Sequence, residues 1–196
     1  MNETNPKIYL ASKSPRRKEL LQQIGVEFEV ISADIDETPH QNEAAADFVL
    51  RMAVEKAQAG YNLLSAEKKL PTLGADTVVV IDDQILGKPV DKGDSLNMLT
   101  LLSGRTHHVY TSVAIAYENS VISDTNRTSV TFRPLERQEI LTYISSGEPV
   151  DKAGSYAVQG LAAKFISNIN GSYSGVMGLP IFETSQLLER AFKAAN

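Results

Sequence analysis

An unbroken run of five β-branched side chains, residues 77–81 (Thr-Val-Val-Val-Ile), constrains the fold of this chain most. A strand with one face in water alternates apolar and polar residues, whereas an unbroken run predicts a strand that is buried on both faces. Such strands lie inside sheets whose two faces carry helices. The run therefore predicts an α/β fold.

Segments with strand and helix patterns alternate along the rest of the chain. Further strands are predicted at residues 7–11, 26–31, 109–117 and 129–132, the last two forming a pair around the turn near 118–120. Helices are predicted at residues 14–25, 44–60, 94–103, 136–145 and 182–195. Because both hairpins and crossovers occur, we predict a mixed sheet, and the lack of repeats or linkers predicts one domain over residues 1–196.

Charge and composition exclude several classes of function. The formal net charge of −5 argues against a nucleic-acid partner, because such proteins need a basic surface. The absence of cysteine excludes disulfides, thiolate nucleophiles and thiolate zinc sites. The first residues do not resemble a signal peptide, and no segment approaches the roughly 20 apolar residues that span a bilayer. We therefore expect a cytoplasmic protein without a membrane partner.

A basic segment, residues 12–17 (Ser-Lys-Ser-Pro-Arg-Arg), lies between the first predicted strand and the first predicted helix. Ser14 and Pro15 fit the N-cap and N1 positions of that helix. The free N–H groups of a helix start attract anions, and Ser12, Arg16 and Arg17 add a hydroxyl and two guanidinium groups. The segment indicates a phosphate site, although a capped surface helix with solvated arginines explains the same residues.

Two charged residues stand in apolar patterns. Lys56 follows Val49, Met52 and Ala53 at helical spacing, so it either reaches into a site or packs its stem and extends its ammonium to water. Asp76 stands at the mouth of the apolar run, where it either has a catalytic or metal-binding role or is a structural residue at the start of a strand. Lys88 is a possible cationic neighbour of Asp76.

Weaker candidates occur elsewhere. Asp34, Asp36 and Glu37 form either a cation site or a solvated acidic loop. The adjacent pair His107-His108 makes a poor metal site, since neighbours in a strand point to opposite faces. Residues 151–160 (Asp-Lys-Ala-Gly-Ser-Tyr-Ala-Val-Gln-Gly) form either a ligand loop or a simple connection.

Eight segments of the chain follow one another in the order LASKSPRRKELL, the acidic pair Asp36-Glu37, RMAVEKA, LGADTVVV, GKP, LSGRTHHVYT, EPVDKAGSYAVQG and INGSYSGVMGLP. In these segments, from Ile8 to the helix after Pro180, the chain resembles the Maf family of nucleotide pyrophosphatases. The resemblance implies a Maf/ITPase-like fold in which an elongated mixed sheet, flanked by helices, forms two lobes around a central cleft. It also implies hydrolysis of nucleoside triphosphates between the α and β phosphates, a Mg²⁺ or Mn²⁺ cofactor and a homodimer.

The resemblance also implies roles for individual residues. Asp76 would be the proton acceptor, and Asp76 with Glu37 would bind the metal. Other functional positions of the family fall on Ser12, Arg17, Lys56, Lys88, Asp151 and Lys152, and the helix start beside Ser14 would hold phosphate. Arg16, Thr77 and Gln159 match the branch of the family that acts on dTTP and UTP.

Two other functions remain open from the sequence. One is a pyrophosphatase for inosine- or xanthosine-type triphosphates, which would need a larger pocket for a purine. The other is a nucleotide-binding regulator of cell division or septum formation that needs no catalysis. Asp76 together with both lysines favours turnover, since a sensor gains nothing from a general base.

Overall fold

The computed structural model describes residues 7–194 of the chain. The strands are β1 (Lys7–Leu10), β2 (Glu27–Val30), β3 (Thr72–Ile81), β4 (Gln84–Leu86), β5 (Thr106–Tyr117), β6 (Ser120–Phe132) and β7 (Ile166–Asn170). The helices are α1 (Pro15–Gln23), α2 (Ala45–Asn62), α3 (Lys92–Leu102), α4 (Arg137–Ser145), α5 (Tyr173–Met177) and α6 (Ile181–Ala194). None of these helices is long and apolar enough to cross a membrane.

The strands form one mixed sheet in the order β2-β1-β3-β5-β6-β7, with β4 paired to β3. Strand β1 is parallel to β2 and to β3, whereas β3 with β4 and β6 with β7 are antiparallel. Crossovers through helices produce the parallel pairs and tight turns produce the hairpins. The predicted α/β class with a mixed sheet flanked by helices is confirmed.

Contacts between Cα atoms divide the chain into two compact units. Unit 1 contains the chain through Asp76, Thr111–Asn126, and the residues from Gly178 onward. Unit 2 contains Thr77–Tyr110 and Arg127–Met177. The single domain over residues 1–196 stays a prediction.

In unit 1, helix α2 lies directly against the backbone of strand β3. A Cβ atom built on Gly74 would lie 2.4 Å from the carbonyl oxygen of Ala53 and 2.5 Å from the nitrogen of Ala57. Further along the helix, a Cβ on Gly60 would lie 3.0 Å from the Thr72 side chain. Only small residues permit this approach of two backbones, and it brings the side chains of α2 within reach of the same face of β3.

In unit 2, the core is built around aromatic rings. His107 is fully buried, its Nε2 lies 2.8 Å from the hydroxyl of Tyr156, and its ring contacts Phe132 edge to face at a centroid distance of 5.1 Å. Phe165 packs edge to face on both Phe132 and Tyr143. Edge-to-face pairs align the positive ring edge with the negative ring face, so they add to the stabilisation from burial.

Two predicted boundaries are wrong for physical reasons. Strand β3 begins at Thr72, so Asp76 lies within the strand and not at its mouth. The sequence pattern misses this start because Gly74 lies there and glycine has a low strand propensity. The close contact with α2 nevertheless requires a glycine at this position. Strand β6 begins at Ser120 and not at residue 129, and the pattern misses its first half because none of its first eight residues is buried and most of them are polar. The sequence patterns do not predict strand β7 or helix α5.

The buried imidazole of His107 makes the free energy of unfolding depend on pH. Burial lowers its pKa from the ordinary 6.5 to about 3. Between these values the unfolded chain binds a proton that the folded chain excludes, so stability falls as the pH falls, by at most about 1.4 kcal/mol per pH unit. Urea unfolding between about pH 7 and 4.5 should show a steeper loss for the wild type than for His107→Gln. Equal slopes would contradict a neutral, buried histidine.

Candidate active site

Lys56 connects two carboxylates in unit 1. Its Nζ lies 2.8 Å from Oδ1 of Asp76 and 2.8 Å from Oε1 of Glu37. The side chains of Lys56 and Asp76 are each 15 % exposed, and that of Glu37 is 61 % exposed. The three groups therefore form a charged cluster that is sheltered at Asp76 and open to solvent at Glu37.

The helical pattern that singles out Lys56 also explains its position. Val49, Met52 and Ala53 are fully buried, and Lys56 continues the same stripe of α2. Because α2 touches β3 at Gly74, the next residue on that face of the strand, Asp76, meets the lysine head group. The ammonium of Lys56 thus does not simply extend to water, because it contacts the sheltered carboxylate of Asp76 and the exposed carboxylate of Glu37.

A second ion pair fixes the segment that carries Glu37. The guanidinium of Arg51 donates to both carboxylate oxygens of Glu43, each at 2.7 Å, and to the carbonyl of Thr38 at 3.1 Å. The backbone N–H of Thr38 in turn donates to Oδ1 of Asp36 at 2.9 Å. Arg51 and Lys56 both belong to α2, so the same helix holds the acidic segment and the ammonium that Glu37 contacts.

The basic segment is organised by Arg17. Its Nη1 donates to Oγ of Ser12 at 3.1 Å and its Nε donates to the carbonyl of Gly178 at 2.8 Å. Burial lowers the pKa of Arg17, while Asp76 and Glu37 act in the opposite direction. Because a guanidinium keeps its proton in proteins, Arg17 adds a positive charge to the field of the two carboxylates.

Helix α1 begins as the sequence predicts. Ser14 occupies the N-cap and Pro15 the first turn, yet the Ser14 side chain makes no capping hydrogen bond, and its N–H donates to Oγ of Ser12 at 3.3 Å. The first turn of α1 contains no acidic residue, and Arg16 lies there half-buried. A helix start with basic side chains favours an anionic ligand.

The remaining predicted residues lie in unit 2. Lys88, Asp151 and Gln159 are exposed, whereas Thr77 and Lys152 are half-buried. The N–H of Gly154 donates to the carbonyl of Gly87 at 3.0 Å. That bond brings the segment of Asp151 and Lys152 to the segment of Lys88. Asp151 itself has a left-handed backbone with φ of 63°.

The donor set at Lys56 fits a hard divalent cation in part. Among residues 7–194, no three histidine or acidic side chains are placed to hold a metal ion. Magnesium, however, is commonly held by one or two carboxylates with phosphate oxygens and waters as its other ligands. Asp76 and Glu37 converge on one atom, so they supply two oxygen donors in the same place. The adjacent histidines form no metal pair, since His107 contacts Tyr156 and His108 contacts Arg127 and Ser129.

The residues that position this cluster carry no local signal in the sequence. Arg51 and Glu43 are eight residues apart, a separation that helical spacing does not single out. Gly74 lies within the segment LGADTVVV, but nothing local shows that a helix touches it. The carbonyl of Gly178 reaches Arg17 across 161 positions of sequence. These contacts depend on the tertiary fold.

The site combines carboxylate oxygens, an ammonium and a guanidinium near the start of a helix. Enzymes with an α/β fold use these groups in phosphate chemistry. A family model described as Maf-like protein matches residues 7–191. The chain therefore belongs to the Maf family, as its motifs indicate.

Similar proteins extend over nearly the whole chain. A dTTP/UTP pyrophosphatase of Aromatoleum aromaticum is 50 % identical and covers 96 % of this chain and 97 % of its own. A dTTP/UTP pyrophosphatase of Pseudoalteromonas translucida is 53 % identical, with 93 % and 95 % covered. The chain is also similar to the solved structure of the Ham1 protein of Staphylococcus aureus, with 97 % of this chain and 100 % of that chain covered, 10 % identity and a TM-score of 0.45.

Proposed function

We propose that this protein is a nucleoside triphosphate pyrophosphatase that hydrolyses dTTP and UTP to the monophosphate and pyrophosphate. The observation that carries the proposal is the cluster in which Lys56 joins Asp76 and Glu37. Full-length relatives at about half identity that carry the name dTTP/UTP pyrophosphatase support the choice of reaction and substrates.

Asp76 is the proposed proton acceptor. A water molecule attacks the α-phosphorus, its oxygen forms the new bond to phosphorus, and the bond from the α-phosphorus to the bridging oxygen breaks. Asp76 takes the proton of the water, and pyrophosphate leaves with the bonding electrons. The hydrogen bond from Lys56 to Oδ1 orients the carboxylate for this transfer.

Positive groups in the chain balance the charge of the triphosphate. Lys56, Arg17 and the start of α1 beside Ser12 and Ser14 are the proposed phosphate ligands. Lys88 is a further proposed catalytic cation, and Asp151 and Lys152 are proposed substrate-binding residues. Preorganised charges of this kind supply most of the stabilisation in phosphoryl transfer.

Asp76 and Glu37 are the proposed ligands of a divalent cation, Mg²⁺ or Mn²⁺. When bound, such a cation neutralises phosphate charge and makes a water molecule more acidic. The ammonium of Lys56 contacts both carboxylates. Binding of the cation would therefore change the contacts of this ammonium.

Gln159 is the proposed reader of the base. Uracil and thymine present an acceptor, a donor and an acceptor along their pairing edge, and an amide supplies both a donor and an acceptor. Arg16 supplies only donors, which suit the two carbonyls. Thr77 completes the set of residues that match the dTTP- and UTP-specific branch.

The other candidates are weaker. No feature described in either unit, across residues 7–194, favours a regulator without catalysis, and the relatives carry the name of an enzyme. Specificity for a purine would not explain Arg16, Thr77 and Gln159, which match the branch that acts on dTTP and UTP. The homodimer and the cytoplasmic location that the sequence leads us to expect remain part of the proposal.

The test is a panel of the common ribo- and deoxyribonucleoside triphosphates with Mg²⁺ or Mn²⁺. We expect rapid formation of pyrophosphate and monophosphate from dTTP and UTP, and slower turnover of the others. Separating the products distinguishes pyrophosphate from phosphate, and so cleavage at the α-phosphorus from cleavage at the γ-phosphorus. A folded protein that binds dTTP without cleaving it would favour the regulator.

A further inference from the structure

The carboxylate of Glu148 accepts hydrogen bonds from three groups of unit 2. Its Oε2 accepts from the backbone N–H of Leu161 at 2.8 Å, and its Oε1 accepts from the N–H of Ala162 at 3.3 Å. The hydroxyl of Tyr143 on α4 also donates to Oε1, at 3.0 Å. None of these four residues belongs to the groups proposed for catalysis or substrate binding.

Two of these donors begin a short 3-10 helix, Leu161–Phe165. The first N–H groups of a helix have no partner inside it, so they need an acceptor from elsewhere. Glu148 supplies that acceptor from thirteen positions earlier in the chain. Burial and the contact with Glu148 raise the pKa of Tyr143, so its hydroxyl keeps the proton that it donates.

Gly160 makes the approach of the carboxylate possible. A Cβ atom built on Gly160 would lie 2.4 Å from each carboxylate oxygen of Glu148. The backbone of Gly160 has φ of −106°, which any residue can adopt, so the space and not the backbone angle requires glycine. The carboxylate thus packs against the residue that directly follows Gln159.

The segment before Gln159 is held by separate contacts. Its Gly154 lies against Val79, where an added Cβ would come within 3.0 Å, and Tyr156 bonds to the buried His107. The N–H of Gly160 then donates to the carbonyl of Ala157 at 3.1 Å and closes a turn around Gln159. On the far side of that turn Glu148 accepts from the N–H groups of Leu161 and Ala162, and the carbonyl of Gly160 accepts from the N–H of Ala163 at 3.0 Å.

We propose that Glu148 is a positioning residue that fixes the turn carrying Gln159 and thereby sets the preference for uracil and thymine over cytosine. The inference rests on the proposed function for the identity of the substrate. Along the pairing edge uracil presents acceptor, donor, acceptor and cytosine presents donor, acceptor, acceptor. The donor and acceptor are exchanged at two positions, so discrimination depends on where the amide of Gln159 stands. A turn that moves freely lets the amide adapt to either base.

Glu148→Gln is the first test. A glutamine side chain keeps the size but replaces one acceptor oxygen with an NH₂ group, which faces a backbone N–H and cannot bond it. We expect the ratio of kcat/KM for UTP to that for CTP to fall about tenfold, the cost of one charge-assisted hydrogen bond. The value of kcat for UTP should change by less than about threefold, because the groups around the phosphates are untouched.

The matched control is Glu139→Gln in the same unit. Glu139 lies on α4 and pairs with Arg133, which contacts the end of the 3-10 helix at Lys164 and Phe165 and not its start after Gln159. The variant Glu139→Gln loses a charged hydrogen bond, as Glu148→Gln does. Its melting temperature should therefore also fall, while its ratio of kcat/KM for UTP to that for CTP stays at the wild-type value. A fall in preference in the control would mean that any loss of stability in unit 2 blurs selectivity, which would overturn the proposal.

Gly160→Ala tests the same contact from the other side. The added methyl displaces only the end of the flexible Glu148 side chain, so this variant should fold, and its base preference should fall like that of Glu148→Gln. Wild-type preference in Gly160→Ala and Glu148→Gln alike would overturn the proposal. Gln159→Glu is the reference variant. If it ranks the bases as the wild type does, Gln159 does not set the base preference, and Glu148 cannot act through it.

Binding of non-hydrolysable α,β-methylene analogues of UTP and CTP separates this inference from the proposed reaction. If the wild type distinguishes the two analogues but cleaves no triphosphate, the pyrophosphatase proposal fails. The effect of Glu148→Gln on the ratio of the two Kd values then decides the positioning role. If the wild type cleaves UTP and the ratio of Kd values is the same in Glu148→Gln, the positioning role fails and the reaction stands.

Discussion

Asp76→Asn should lower kcat for dTTP and UTP by about 10²- to 10⁴-fold, the usual contribution of a general base. Asparagine has nearly the same shape as aspartate, but it cannot accept the proton of the attacking water. KM should change much less than kcat, because the proposed phosphate ligands Lys56 and Arg17 remain. Steady-state pyrophosphate release across a range of substrate concentrations separates the two parameters.

The Asp76→Asn variant should fold. The amide side chain keeps an oxygen for the hydrogen bond with Lys56, and Glu37 still contacts the ammonium at 2.8 Å. Asp82→Asn is the matched control, since it removes the charge of another aspartate, in unit 2, that pairs with the exposed Arg105. Near-wild-type turnover in a folded Asp76→Asn protein would rule out the role of proton acceptor.

Metal binding by Asp76 would lower activity in the same variant for a different reason. A weaker metal site is rescued by more metal, whereas a missing proton acceptor is not. Activity of Asp76→Asn should therefore remain low as Mn²⁺ is raised to saturation, while the concentration of Mn²⁺ at half-maximal activity rises if the carboxylate is also a ligand. Glu37→Gln should also raise the concentration of Mn²⁺ at half-maximal activity, but with a smaller loss of kcat at saturating Mn²⁺.

The sequence predicts well where local pattern decides the structure. The helical stripe Val49, Met52, Ala53 places Lys56 on the inward face of α2, where an ammonium without a partner is costly, and the structure supplies carboxylate partners. Ser14 and Pro15 mark the start of α1 because their preferences at a helix start are strong. The hairpin turn near residues 118–120 is also predicted, and Glu118 has the positive φ that tight hairpins use.

The sequence predicts less where distant segments decide. That Asp76 lies inside a strand, and that Glu37 meets the same ammonium, depends on how α2 packs on β3 and on the ion pair of Arg51 with Glu43. Glu148 belongs to the matched segment EPVDKAGSYAVQG, yet its role as acceptor for Leu161 follows from the path of the chain between them. Such long-range contacts leave no periodic signal in the sequence.

Gly74→Ala should destabilise the protein by about 3 kcal/mol, at the upper end of overpacking effects. The added methyl would stand 2.4 Å from the carbonyl oxygen of Ala53 and 2.5 Å from the nitrogen of Ala57. Both contacts are backbone atoms in the middle of a helix, so no side chain can turn away to relieve them. Urea unfolding measures the loss, and Gly87→Ala is the control, because a Cβ there meets nothing within 4 Å.

The same substitution should reach the active site. Helix α2 has to move away from β3 to admit the methyl, and Lys56 belongs to that helix while Asp76 stands two residues beyond Gly74 on the strand. A shift of about 1 Å at reacting groups can reduce catalysis about 100-fold, so kcat should fall under conditions where Gly74→Ala is still folded. Loss of stability with wild-type kcat would mean that the Lys56–Asp76 contact does not depend on the close packing of α2 on β3.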